Sequence, residues 1–598
     1  MEQRPEEALY RSVLGGTGLG VRFVFDRQGP GVDPMGPDSF MGFVTGPLTG
    51  SGTLFGTRYS VVARSPLTGA WGEANSGGDF GPYLKFGGYD AVFLSGVSDK
   101  PVYLFIEDGK AELRDAGHIW SRDCVETEVI LQQELGKGTR VACIGPSGEK
   151  LSRISCVIND RGRAAARTGM GAVMGSKKIK AIAVRGKLKL PIADEANLRV
   201  LRKKYLESLG GRIYQSLSGF GTCAGTAGAV LSGDAPVKNW SGRGSIDFPT
   251  AASISDLAVI GLQQKKYGCW RCPVACGGLM KAGSSFDYDE GAHKPEYETL
   301  AAFGSMCLND DVESIIKLND ICNRYGLDTI SAGSTIAFAI ECYENGIISG
   351  KDTDGIELTW GNSKAIVEMT GKLSRREGFG DILADGTKIA AQKIGRGAEK
   401  FAMQVEGQEV PMHDPRRTPG WGTSYKVDAA PGRHTSGNEN NVMFIPEMTI
   451  PDFNFKEYSG RGEAHRAGAS WFHITDSSGF CMLGYMCLPA RALPEFLTAV
   501  TGWRLDMVSL MEVGERIANL RQAFTVREGL VPTSFDVPGR IIGDPPQKEG
   551  PLIDRTLDLP IMVSDYYRAM DWDLVTGKPS RKKLEALGLR DVIDAIGA

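Results

Sequence analysis

Three cysteines crowd into residues 269–276, as Cys269-Trp-Arg-Cys272-Pro-Val-Ala-Cys276. No other feature restricts the chain as much. Soft thiolates this close in sequence can hold three corners of an iron–sulfur cluster, whose remaining iron takes a fourth ligand from elsewhere. Structural zinc is the alternative, but it usually draws on two paired knuckles or a histidine pair, and no second pair exists here. Buried, unliganded thiols are the third reading. Cys223, Cys307, Cys322, Cys342, Cys481 and Cys487 are all candidate fourth ligands, and spacing does not choose among them. The remaining cysteines are scattered, which fits a reduced, cytoplasmic enzyme better than a disulfide framework.

The chain around this motif reads as an α+β protein. Across residues 1–190, short β-branched runs at 61–63, 91–94, 102–106, 141–144 and 179–184 lie between Gly, Pro and Asp clusters, predicting a β-rich domain with a few helices such as 126–135. Residues 191–400 change character: 311–323 and 328–345 have helical apolar spacing and an Asp at each start, and helical patterning continues through 364–376 and 385–394. From 401 to 598 a further mostly helical domain follows, opened by a Pro/Gly/Arg-rich stretch at 410–437 that reads as an ordered loop at a site. The 42% hydrophobic and 23% charged composition excludes a disordered chain. Lys+Arg 68 against Asp+Glu 72 leaves no bulk charge to recruit nucleic acid or an anionic membrane. The start of the sequence has no apolar leader pattern, and no run is long enough for a membrane span.

Glycine is in excess, 78 of 598 residues, roughly twice the ordinary share of about 7%. Close backbone approach to a ligand is one use for it. Leu14-Gly-Gly-Thr-Gly-Leu-Gly20 suggests a nucleotide loop, but position 21 is Val21 and the segment before it reads as helical, so the dinucleotide fingerprint fails. The segments from Asn75 through Gly77 and Gly78 to Gly81, and from Arg167 through Gly169 and Gly171 to Lys177, can cradle phosphates with backbone N–H groups and nearby cations.

In order along the chain stand GGTGLG, TGPLTGSGT, RSPLTGAWGEANSGGDFGPYLKFGGYDAVFLSG, IGPSGEK, RTGMGAVMGSKKIKAIAVRG, CWRCPVAC, PEYETL, NRYGLDTIS and DSSGFC. Together they resemble the tungsten-containing aldehyde:ferredoxin oxidoreductase family from about residue 10 to beyond residue 490. The resemblance implies a β-rich base for a tungsten bis-pterin cofactor, covered by two mostly helical domains. It implies Cys481, which ends the D-x-x-G-x-C motif Asp476-Ser-Ser-Gly479-Phe-Cys481, as the fourth ligand of a 4Fe-4S cluster with Cys269, Cys272 and Cys276. That motif and Asn323-Arg-Tyr-Gly326-Leu-Asp328 would contact the two pterins. Asn323 replaces an acid of the family pattern, which removes a charge and keeps hydrogen-bonding capacity. By the same resemblance, Arg58 bridges pterin and cluster, and Asn75 helps bind Mg2+ between the cofactor phosphates. The Arg167 to Lys177 region would complete the phosphate site.

The catalytic pair implied is Glu298, in Pro295-Glu-Tyr-Glu298, and His434, in Gly432-Arg-His434. Glu296 and His413 are their nearest competitors. The family's fold and cofactors imply oxidation of aldehydes to carboxylic acids, reversible in principle. Electrons would pass singly through the cluster to ferredoxin or an iron–sulfur partner subunit in a homo- or hetero-oligomer. A second reading within the family is the catalytic subunit of an ATP-independent aryl-CoA reductase, with Cys307 as the thiolate suspect. A third is a non-catalytic electron-transfer subunit. Two departures stand out: family members usually begin with a further strand ahead of the position of Glu2, and no Glu/His pair suits the subunit-bridging metal of some archaeal members.

Overall fold

The computed structural model describes residues 2–454 and 456–598. After two helices, Glu7–Val13 and Gly16–Arg27, ten strands build the N-terminal third. The first four are β1 (Met41–Thr45), β2 (Tyr59–Arg64), β3 (Trp71–Ser76) and β4 (Ala91–Leu94), which form an antiparallel sheet in the order β3-β2-β1-β4. Strands β5 (Val102–Glu107), β6 (Lys110–Asp115), β7 (Arg140–Cys143), β8 (Val157–Asn159), β9 (Arg163–Ala165) and β10 (Ile179–Arg185) form a second sheet, ordered β6-β5-β10-β7-β8-β9. Only β5 and β10 run parallel; the other pairings are antiparallel. The four central residues of β2 are buried, as the unbroken run Val61-Val62-Ala63 implies for a strand covered on both faces. The register sets Ser60 opposite Asn75, which fixes where the β3 side chains emerge.

The helices follow their caps. Asp311 accepts from the Ser314 N–H to start Val312–Tyr325, and Asp328 accepts from Ile330 and Ser331 to start Thr329–Glu344. Asp123 and Glu126 form a capping box on Cys124–Leu135. The region read as helical over 385–394 instead begins after Gly386, whose φ of 88° breaks it from Phe379–Leu383. The GGTGLG stretch, read as a loop, opens the helix Gly16–Arg27. Its glycines permit contact rather than bend: a Cβ on Gly18 would lie 2.8 Å from Ile517 Cδ1, and one on Gly20 would lie 2.8 Å from Val62.

The C-terminal helices pack directly on this base. Gly462–Ser477 lies on Gly16–Arg27 and on Met507–Arg527, and Trp71 meets Phe524 edge-on at 5.1 Å. One continuous core therefore joins residues from 13–71 with residues from 467–596. Among the described residues no helix is long and apolar enough to cross a membrane.

Candidate cofactor and active site

The cysteine triplet occupies the turn of a two-stranded hairpin, Gln263–Tyr267 with Gly277–Met280. Arg271 and Ala275 take left-handed backbone, and the Trp270 N–H donates to the Gly78 carbonyl at 3.3 Å, pinning the loop to the β3 exit. Cys481 arrives from the other end of the chain. The segment after Gly462–Ser477 lies on the 46–58 loop, with the Arg58 N–H on the Gly479 carbonyl and the Cys481 N–H on the Phe55 carbonyl. Gly479, at φ 76°, is needed there because a Cβ would lie 2.1 Å from Thr49 Oγ1.

Burial, then Cys269 and Cys481, pushes the Cys272 thiol up to about 12. Burial also pushes Cys276 up to about 12, with Arg163 opposing and Glu296, Cys269 and Cys481 adding to it. Four thiols in one another's field bind metal readily, because coordination deprotonates them and relieves the repulsion. Structural zinc requires its ligands to converge on one point. A cubane cluster instead takes one thiolate at each of its four irons, spread over its corners. Of the other candidate ligands, Cys223, Cys307, Cys322 and Cys342 are buried, and Cys223 and Cys307 donate to backbone carbonyls.

Beside the quartet stands Arg58. A Cβ on Gly77 would lie 2.9 Å from Cys269 Sγ and 3.0 Å from Arg58 Nη1, so the missing side chain lets these two groups close in on the β3 exit. Arg58 Nε, Asn75 Oδ1, Arg167 Nε, Asn323 Nδ2, His434 Nδ1 and Ser436 Oγ are all buried without a hydrogen-bond partner. Buried polar atoms are nearly always paired in folded proteins. Orphans contributed by the residue just before β2, by β3, the 167–169 turn, helix Val312–Tyr325 and the 432–436 loop fit a large polar ligand such as a pterin. Asp476 fits too: burial, then Glu73, raises it to about 7, while Arg433 and Arg58 pull it back.

Several of the expected site residues already have partners within the protein. The Lys177 ammonium donates to the Ser39 carbonyl and hydroxyl at 2.7 and 2.9 Å, so it fastens the 36–39 loop and is not presented to a phosphate. Asp328 spends its carboxylate on its helix cap, Ser331 and Arg167 Nη1 at 3.1 Å, and so orients Arg167. Gly171 and Gly326 serve close packing, on Ser155-Cys156 and on Gly145 respectively, and Gly169 lies against Arg153. Gly78 packs on Asn159 and Asp160.

Glu298 lies in the first turn of Tyr297–Phe303. Its Oε2 accepts the Met412 N–H at 2.9 Å, and its Oε1 lies 3.4 Å from His413 Nε2 and 3.5 Å from His434 Nε2. His413 Nδ1 meets Asp234 Oδ2 at 2.8 Å, and its ring is stacked between Tyr297 and Trp421. The side chains of Glu298 and His434 are 17% and 18% exposed, while Glu298 Oε1 and His434 Nδ1 are themselves buried. Burial raises the Glu298 pKa against the pull of His413. Burial also works against charge on His413, but the Asp234 bond and charge, then Glu298, raise it above its ordinary value. Burial, then His413, Arg167 and Arg433, drives His434 far down and keeps it neutral.

Glu296 turns away from this centre to Arg163 Nη1 at 3.5 Å and to the Thr222 hydroxyl. The structure therefore brings Glu298 together with both histidines, where sequence reasoning chose one. Asp234, Tyr297 and Trp421 were missed. Asp234 lies in the irregular stretch after helix Thr226–Ser232, and no spacing ties it to His413.

Comparisons with known proteins agree along the whole chain. The model "Aldehyde ferredoxin oxidoreductase, N-terminal domain" matches residues 1–186, and "Aldehyde ferredoxin oxidoreductase, domains 2 & 3" matches residues 201–589. A tungsten-containing aldehyde ferredoxin oxidoreductase of Pyrococcus furiosus is 35% identical, covering 98% of this chain and 96% of its own. The WOR-like subunit of an aliphatic sulfonate oxidoreductase from the same organism is 28% identical, covering 98% and 94%. Among solved structures, the active-site complex BamBC of benzoyl coenzyme A reductase, with 1,5-dienoyl-CoA, superposes with a TM-score of 0.83 at 25% identity. It covers 99% of this chain and 95% of that one.

Proposed function

The chain belongs to the aldehyde ferredoxin oxidoreductase family, and from that premise we propose that it oxidises aldehydes to carboxylic acids and passes the electrons to ferredoxin or an iron–sulfur partner subunit. Converting an aldehyde and water to an acid releases two electrons and two protons. When bound, a tungsten bis-pterin supplies the Lewis acidity and two-electron acceptance, and a 4Fe-4S cluster the one-electron relay. Cys269, Cys272, Cys276 and Cys481 would hold the cluster. Arg58, Asn323 and Asp476 would hold the pterins, and Asn75 with the 167–169 turn would hold the phosphate end with its Mg2+. In this reading the three parts of the chain, 1–190, 191–400 and 401–598, supply the base, the acid and the histidines.

The observation that carries the catalytic reading is Glu298 set between His413 and His434 beside the orphaned polar atoms. Glu298, whose pKa burial raises, takes up a proton leaving the substrate. Protonated Glu298 donates towards His434 Nε2, which leaves the proton of the neutral ring on Nδ1. That N–H, unpartnered within the protein, donates to the substrate oxygen as negative charge develops there. His413, whose pKa the Asp234 bond and charge raise, steadies the carboxylate when protonated. The aryl-CoA alternative needs a thiolate at the centre, but the Cys307 thiol is buried against the Ala302 and Gly333 carbonyls. Acid formation from a series of aldehydes, coupled to ferredoxin reduction by anaerobically purified metal-loaded protein, tests the proposal. Loaded protein that oxidises no aldehyde contradicts it.

A further inference from the structure

Arg163, on β9, was not singled out by any motif. Its side chain is 10% exposed, and its guanidinium lies over the Tyr267 ring at 4.9 Å, on the strand that leads into the cysteine loop. The Nη2 group points at Gly277, the residue after Cys276: a Cβ there would lie 2.5 Å from it. Both Nε and Nη2 are buried without an acceptor in the protein. Among the described residues the only carboxylate at ion-pair distance is Glu296, 3.5 Å from Nη1 and itself about one-third exposed. A guanidinium does not discharge by losing its proton, so a buried one with two idle N–H groups needs a negative partner nearby.

We propose that Arg163 and Glu296 are an opposed pair of positioning charges that sets the reduction potential of the cluster on the cysteine quartet, Arg163 raising it and Glu296 lowering it. This rests on the cluster assignment made above. Each reduction adds one negative charge to the cluster and its thiolates. A buried cation with N–H groups free to bond sulfur favours that added charge, and a carboxylate that partly neutralises the cation disfavours it. Glu296 sits directly before the helix that carries Glu298, so one helix start serves the cluster with one acid and the reacting centre with the next.

The test is an EPR-monitored redox titration of purified, iron-loaded protein, which reads the cluster without turnover. Arg163→Gln should lower the potential and Glu296→Gln should raise it, each by about a tenfold change in the reduction equilibrium, 59 mV for one electron. Arg163→Lys, which keeps the charge and loses the fork, should fall between wild type and Arg163→Gln. Should Arg163→Gln fail to assemble a cluster, Glu296→Gln and Arg163→Lys decide. Unchanged potentials, or shifts of one sign in the Arg163 and Glu296 variants, overturn the inference while leaving the cluster in place. A wild-type protein without the cluster overturns both.

Discussion

Replacing Glu298 by Gln tests the proton-handling role with the least disturbance of shape. The amide oxygen can still accept the Met412 N–H that Oε2 now takes at 2.9 Å. The amide NH2 must then face two imidazole Nε2 atoms, now 3.4 and 3.5 Å from Oε1. His434 is neutral and can accept from it, while the His413 Nε2–H loses the acceptor it faced and keeps Asp234 as its counter-charge, so the pocket gives up one contact and the variant should still fold. What disappears is the titratable group. General acid–base assistance is worth roughly 10²–10⁴ in rate, or about 3–5 kcal/mol of barrier, and kcat for aldehyde oxidation should fall by that factor with tungsten and iron contents unchanged. The pH profile supplies a second readout. Burial raises the Glu298 pKa above 4.5, so the wild-type rate should climb with pH as the carboxylate ionises, and the Gln variant should lose that limb. Glu296→Gln, facing Arg163, should lose far less. A normal rate in Glu298→Gln, or an equal loss at Glu296, would refute the assignment.

Cys481→Ala should remove or degrade the iron–sulfur absorption, while Cys487→Ala should leave the spectrum unchanged; the reverse would identify the wrong cysteine. Gly77→Ala places a methyl 2.9 Å from Cys269 Sγ and 3.0 Å from Arg58 Nη1, so it should cost about 1–3 kcal/mol and lower cluster occupancy, measured by urea unfolding and iron assay. Glu128 is buried, and burial, then Asp160, raises it to about 7. Its carboxyl therefore binds a proton more tightly in the folded state, and stability is lost as pH rises from about 4.5 through 7, by up to roughly 3 kcal/mol. Glu128→Gln should raise the melting temperature at pH 8 and change it little at pH 4.5; the same shift at both values would contradict the burial argument.

The elements legible in the sequence were those whose physics is local. Val61-Val62-Ala63 announces a buried strand by β-branching and the run at 91–94 a half-buried one by its short apolar stretch, and Asp311 and Asp328 announce helices by their caps. Strand β6 escaped because it is a charged, exposed edge with no apolar period. The helix at Gly16 escaped because its glycines read as a loop, while their purpose is approach to Ile517 and Val62. At the site, the cysteine spacing was explicit and Cys481 came from family resemblance. The partnership of Asp234 with His413 joins positions 179 apart and leaves no local mark. Lys177 was misplaced for a related reason: a lysine after glycines suits a phosphate loop, and only the tertiary fold shows that Ser39 takes its ammonium.

The account stands or falls on what the cysteine quartet and the orphaned polar atoms hold. Elemental analysis of anaerobically purified protein, together with pterin detection, measures this directly. The account predicts about four iron atoms and about one tungsten per chain, with pterin present. Zinc in place of iron, or iron without tungsten or pterin, would contradict it.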